Sequence, residues 1–179
     1  MPWPWFAGQV ITADDLNRSR TRQVVQAANQ EVESSTTLVP TEVSIPVEAG
    51  ATYWVYTVIA YSAASTQVTG AGGLRWSWDV PTGTAMPRVT AAYSLEDPDN
   101  DEDLNTGGNV ILRSPSASTE MRAEGTHVDN FNSVHENAIL QVGGASGTAT
   151  LQFAQWSSSS TPTILRGILR TRSFYTRVQ

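Results

Sequence analysis

About nine to ten short stretches rich in β-branched and aromatic residues follow one another at near-regular spacing from residue 24 onward, with glycine-rich turns between them. The stretches are 24–32, 43–47, 53–61, 74–80, 88–94, 109–113, 121–129, 138–142, 148–156 and 164–172; the turns are 70–73, 107–108 and 143–147. No amphipathic segment of helical length separates the strands, so βαβ units are excluded and the series predicts an antiparallel sandwich or jelly roll. Leu74, Trp76, Trp78 and Val80 alternate with Arg75, Ser77 and Asp79, which predicts a strand with one face in the core and one in solvent. Pro46 cannot donate to a ladder, so 43–47 belongs at a sheet edge or a bulge. The 53–61 stretch is apolar on both faces and is expected between layers or between subunits.

A chain of 179 residues accommodates one main domain and a short appendage. The division read from the sequence is an anchoring arm and helix over 1–30 and a β domain over 31–179. Cysteine is absent, which excludes disulfides and thiolate chemistry. The formal net charge of −6 argues against a nucleic-acid partner, because phosphate binding needs a basic face. The longest apolar run, 55–60, is far too short for a membrane span, and Met1-Pro2-Trp3 lacks the basic start of a signal peptide. The expectation is a protein without membrane insertion. All eleven basic residues are arginine.

At the N-terminus, Thr12 stands as N-cap with Asp15 three positions on, and Ile11 and Leu16 are placed to close a hydrophobic staple. Asp14 and Asp15 lie favourably at the positive end of the helix dipole. A helix over 13–22 is predicted, followed by extended chain. Trp3, Trp5 and Phe6 precede it on an arm stiffened by Pro2 and Pro4. Such an arm cannot bury three large rings within itself, so Trp3, Trp5, Phe6, Ile11 and Leu16 are assigned to anchoring on a neighbouring protein.

Four constellations could carry chemistry. The run 96–103 holds six acidic residues, but the spacing of a calcium loop counted from Asp97 would need glycine at Glu102 and glutamate at Gly108, so a solvated acidic loop is the reading adopted. His127-Val128-Asp129 and His135-Glu136 make a two-histidine, one-carboxylate metal site conceivable on a jelly roll, yet HVDNFNSVHEN reads more simply as a polar loop with two incidental histidines. No Gly-x-Ser-x-Gly elbow supports a hydrolase. Arg166, Arg170 and Arg172 would share one face of a regular strand and are assigned to ion pairing with acidic loops of the same or an adjacent subunit rather than to a nucleic-acid stripe. Trp54, Trp76, Trp78 and Trp156 are read as core or interface residues rather than sugar-stacking platforms. No catalytic, cofactor-binding or metal-binding residue is assigned, and an enzyme is not expected.

The segment FAGQVITADDLN, 6–17, resembles the opening of many structural proteins of tailed bacteriophages, especially small tail and fibre proteins of actinobacterial phages. Ile11 stands where that pattern usually has leucine. The segments 34–63, 74–84 and 147–172 look like the β-rich domain appended to many actinophage tail and virion surface proteins. The run 96–103 and the tail 173–179 depart from that pattern. The resemblance implies a trimer-forming jelly roll displayed on the particle, assembled in the bacterial cytoplasm with other virion proteins of the tail tip or capsid. Tyr53, Val55 and Ile59 are then assigned, with Arg166, Arg170 and Arg172, to the subunit interface, where a three-fold axis would bury the strand's second face. Placement as a minor tail or fibre protein contacting the host is preferred over a head decoration protein or head fibre. A metal-dependent jelly-roll enzyme and a carbohydrate-binding module, the latter implying a host-surface glycan, are the alternatives from other classes.

Overall fold

The computed structural model of the chain describes residues 8, 10, 12–94, 109–113 and 119–178. Trp3, Trp5, Phe6, Ile11 and the acidic run 96–103 lie outside the described residues. Helix α1 (Ala13–Ser19) is followed by β1 (Arg22–Val25) and β2 (Gln30–Val32). Then come β3 (Val39–Val47), β4 (Thr52–Ser62), the four-residue helix α2 (Thr66–Thr69), β5 (Gly72–Asp79) and β6 (Arg88–Ser94). β7 (Asn109–Arg113), β8 (Met121–Ala123), β9 (Asn132–Gln141), β10 (Gly147–Ser157), β11 (Thr163–Leu165) and β12 (Arg172–Arg177) complete the series.

The strands pair in two antiparallel sheets. One runs β3-β10-β5-β8, and the other runs β1-β12-β4-β9-β6-β7, with β11 joining β2 and β4 beside it. Counted from β3, the first strand neighbours the eighth and the third neighbours the sixth in one sheet, while the second, seventh, fourth and fifth make up the other. That order is a jelly roll, in which successive strands wrap back and forth over one core. Pro46 lies on β3, the edge strand expected for it, opposite Thr148.

The core lies between the sheets. Ile45, Tyr61, Leu74, Trp76, Leu140, Leu151 and Phe153 are fully buried there. On β4 the inward face is Tyr53, Val55, Thr57, Ile59 and Tyr61, and the outward face is Trp54, Tyr56, Val58 and Ala60. Tyr53, Val55 and Ile59, expected at a subunit interface, therefore fill the chain's own core. Both faces of this strand are apolar, so the sequence could not show which one the second sheet would cover.

Local differences from the sequence reading have identifiable causes. α1 stops at Ser19, whose hydroxyl donates to the Leu16 carbonyl at 3.0 Å, because β1 is captured by β12 from Arg22 onward. The sheet thus begins ahead of residue 31. The stretch 121–129 ends as a strand at Ala123, since Glu124 turns inward and both its carboxylate oxygens accept from Thr66, one from the backbone N–H and one from the hydroxyl. That carboxylate caps α2, whose own N-cap residue Ser65 makes no side-chain cap.

Gly125 follows in close contact with the backbone. A Cβ there would stand 2.2 Å from the Ala63 carbonyl oxygen and 2.4 Å from that of Ala64. The neighbouring bridge between Ala64 and Thr126 leaves little room to shift. Gly125→Ala is expected to lower the unfolding free energy by about 1–3 kcal/mol, the usual cost of overpacking, and urea titration at fixed protein concentration measures it. A change below about 0.5 kcal/mol would show that the connection yields.

Candidate functional site

The two ends of the sandwich differ. At one end, α1 packs near β12, and Val178 donates to Thr52, the first residue of β4, at 2.8 Å. A cleft of about 130 Å³ opens there, lined by Arg20, Arg22, Pro46, Val47, Glu48, Tyr53, Tyr175 and Arg177. Arg177 pairs with Glu48 at 2.5 Å, and the Tyr53 hydroxyl accepts from the Glu48 N–H at 3.1 Å. Leu16 is 51% exposed on the helix beside it. An apolar side chain so placed is free to meet a partner, as the anchoring assignment requires.

The opposite end lies an eleven-residue strand away, roughly 35 Å along β4. Here β11 leads into a turn over 167–170 and then β12. Ile168 and Leu169 both adopt left-handed backbone conformations, with φ of 53° and 65°. For non-glycine residues, and for β-branched isoleucine above all, each costs on the order of 1–3 kcal/mol and persists only where surroundings over-determine it. They do so here. The Ile168 N–H donates to Ala27 and the Gly167 N–H to Asn29 Oδ1, both at 2.9 Å, and Arg172 Nη1 donates to the Leu169 carbonyl at 2.8 Å. Gly167 is required because a Cβ would meet the Ala28 carbonyl carbon at 2.2 Å.

The held turn presents apolar side chains to solvent. Ile168 is 74% exposed and Leu169 60%, and Phe131, from the connection between β8 and β9, is 55% exposed alongside. The guanidinium groups of Arg166 and Arg170 lie 4.8 and 4.3 Å from the Phe131 ring centroid, within the cation–π range. Arg166 also donates to Ser62 Oγ and to the Val128 carbonyl. Of the three arginines expected on one face of a regular strand, the turn that breaks the strand brings Arg166 and Arg170 together at Phe131. Arg172 diverges to lie over Phe174 at 5.9 Å. Among the described residues, no carboxylate pairs with any of the three.

A third surface is the outward face of the larger sheet. Trp54 stands beside Ile139, and Tyr56 beside Asn137 and Phe174, with Val58 and Val89 continuing the apolar field. Trp54 Nε1 donates to Asn137 Oδ1 at 2.8 Å, and the Tyr56 hydroxyl is 2.8 Å from His135 Nδ1. The described strands and helices leave this face uncovered, with Trp54 36% exposed.

The histidines are apart in kind. His127 sits in a turn, with its Nδ1 3.4 Å from Asp129, both exposed. His135 is on β9, engaged by Tyr56 and Ser133. HVDNFNSVHEN is therefore not one loop: its second half is strand, with Glu136 pointing inward. Arg88 meets Glu136 there at 2.7 Å, both buried, a pair that sequence reading missed because 48 residues separate them. Among the described residues, no group of three or more histidine, aspartate and glutamate side chains is arranged to hold a metal ion.

No family model and no curated protein matches the chain. Among solved structures it is similar to that of infectious bursal disease virus, Gt strain, at 10% identity and a TM-score of 0.20, covering 91% of this chain and 38% of that one. It is also similar to the VP2 subviral particle of infectious bursal disease virus, at 11% identity and a TM-score of 0.21, covering 88% and 40%. The chain thus spans well under half the length of either. Similarity at this level carries no argument; the jelly-roll assignment rests on strand order.

Proposed function

We infer that the chain is a non-enzymatic structural protein of a tailed-phage virion, anchored by its N-terminal arm and α1 and displaying a trimeric jelly roll on the particle surface. The observation that supports this best is the polarity of the fold. The exposed Leu16, α1 and the arginine-rich cleft lie at one end, and the strained apolar turn lies at the other. A domain held at the first end presents the second outward. The uncovered field of Trp54, Tyr56, Val58, Val89, Ile139 and Phe174 supplies the apolar surface that a symmetric assembly would bury.

Placement as a minor tail or fibre protein contacting the host is preferred, on the resemblance of 6–17 to tail-protein openings. Deleting residues 1–8 is expected to leave a domain that melts as the full chain does but no longer joins particles, and immunoblotting of purified virions measures this. Undiminished incorporation would overturn the anchoring role. Gold-tagged antibody against the β domain is expected to mark the tail; label spread over the head would instead identify a decoration protein or head fibre. The outward ring of Trp54 favours one further reading, glycan stacking, which tryptophan fluorescence with host-surface glycans would reveal.

A further inference from the structure

We propose that the cleft at the α1 end of the sandwich binds an organic phosphate monoester, its phosphate held by Arg20, Arg22 and the Tyr175 hydroxyl. The site goes beyond the anchoring role, which deletion of residues 1–8 tests separately. Strand register builds it. Arg22 of β1 lies opposite Tyr175 of β12, and Arg177 of β12 lies opposite Tyr53 of β4. Residues directly opposite share a face of a sheet, and so do Tyr175 and Arg177, two apart on one strand. Tyr53 and Tyr175 are buried, so this face is the inward one. Val47, the last residue of β3, and Glu48 after it supply the wall from the other sheet. Apolar side chains at the inward positions of Arg22 and Arg177 would shut the end of the sandwich. The chain places guanidinium groups there instead, and the end stays open as a cleft of about 130 Å³.

The lining holds donors in excess of acceptors. Arg177 pairs with Glu48, whereas Arg20 and Arg22 have no carboxylate partner among the described residues. Arg22 reaches the Asn17 carbonyl, and only at 3.4 Å. Tyr175 is 6% exposed, yet its hydroxyl makes no hydrogen bond among the described residues and is not sealed from solvent, so it opens on the cleft that the ring lines. The Tyr53 hydroxyl accepts from the Glu48 N–H, and its own proton is uncommitted. In a chain of net charge −6, the lining sets three guanidinium groups against one carboxylate. The excess of two positive charges matches a phosphate monoester dianion, whose oxygens fit the fork of a guanidinium group. A single carboxylate would leave one positive charge unmatched, and the acidic remainder of the chain repels a polyanion such as nucleic acid. Pro46, Val47 and the two tyrosine rings offer apolar surface to the organic substituent of the ester. Pockets that enclose a drug-sized ligand run to roughly 300–1,000 Å³, so this smaller cleft takes the phosphate and the first atoms beyond it.

Isothermal titration calorimetry of the full chain in low-chloride buffer tests the assignment, at about pH 8, where a phosphate monoester is doubly charged. The probes are phenyl phosphate, inorganic phosphate and benzoate. Phenyl phosphate is expected to bind at one site per chain and more tightly than either of the others. Arg20→Gln/Arg22→Gln is expected to weaken it by about tenfold or more, and Tyr175→Phe by about tenfold, the usual loss of a hydrogen bond to a charged group. Both arginines are exposed, so their replacement reads binding without loss of the fold, which thermal melting of each variant verifies. Arg166→Gln/Arg170→Gln, at the opposite end, is expected to leave binding unchanged. An equal loss in that variant would reduce the effect to diffuse attraction and overturn the site, as would undiminished binding in Arg20→Gln/Arg22→Gln or no binding of any probe. Inorganic phosphate bound as tightly as phenyl phosphate would overturn the organic substituent, and benzoate bound more tightly would replace the phosphate by a carboxylate.

Discussion

Replacing Arg88 with alanine is expected to lower the unfolding free energy by about 3–5 kcal/mol, because it leaves Glu136 as an uncompensated charge between the two sheets. Glu136 Oε1 accepts from Arg88 Nη1 and from the Thr90 hydroxyl at 3.2 Å, and Oε2 accepts from Trp78 Nε1 at 3.1 Å. Arg88 Nη2 donates to the Thr119 carbonyl at 2.7 Å. The carboxylate therefore ties β9 and β6 in one sheet to Trp78 of β5 in the other. Losing the guanidinium removes its strongest partner without letting water in. The double change Arg88→Met/Glu136→Leu is expected to cost less than Arg88→Ala, since it removes both charges, while still losing the partners of the Trp78 Nε1 donor and the Thr119 carbonyl. Urea unfolding of wild type and both variants at one protein concentration decides it, and a loss below about 1 kcal/mol in Arg88→Ala would mean that water reaches the pair.

Trp76→Ala is expected to cost a further 3–5 kcal/mol or so by opening a cavity in the middle of the core. Trp76 is fully buried on β5, opposite Phe153 of β10 and Met121 of β8. Its Nε1 has no hydrogen-bond partner among the described residues, in contrast to Trp78, whose Nε1 is bound by Glu136. An unpartnered buried donor is itself unfavourable by about 1–3 kcal/mol. Trp76→Phe, which deletes the donor while keeping most of the ring, is accordingly expected to cost well under half of what alanine costs. The same unfolding measurements check the contrast; equal losses would mean that the donor has a partner and the ring is not what the site holds.

Alternation puts Leu74, Trp76 and Trp78 on the inward face of one strand, as found, but Ser77, expected in solvent, is buried; the missing N–H puts Pro46 on an edge strand, as found. Where a residue's fate is set by a distant partner, the signal vanished. Glu136 breaks the apolar alternation of β9, so its sequence reads as a polar loop; the partner that buries it, Arg88, lies on β6 two residues from Thr90, the residue opposite Glu136. The 164–172 stretch has strand composition throughout, yet it breaks at Gly167, which alone can pass the backbone of Ala28. Phe131 meets Arg166 and Arg170 across more than thirty residues of intervening chain, so the arginines stand out in the sequence while the ring they cover does not. Of the residues assigned to anchoring, only Leu16 lies among the described ones, where it is exposed.

The pairing of β1 with β12 bears on mechanics. Arg22 to Val25 are matched residue for residue with Tyr175 to Arg172. The chain enters β1 two residues after α1, so a pull on α1 directed along β1 would load that ladder. The inter-strand hydrogen bonds lie perpendicular to the strand axis. They are therefore loaded together in shear rather than peeled one after another. A load applied in that direction yields only when the whole ladder slips, so it would meet the resistance of the sheet rather than that of a single bond.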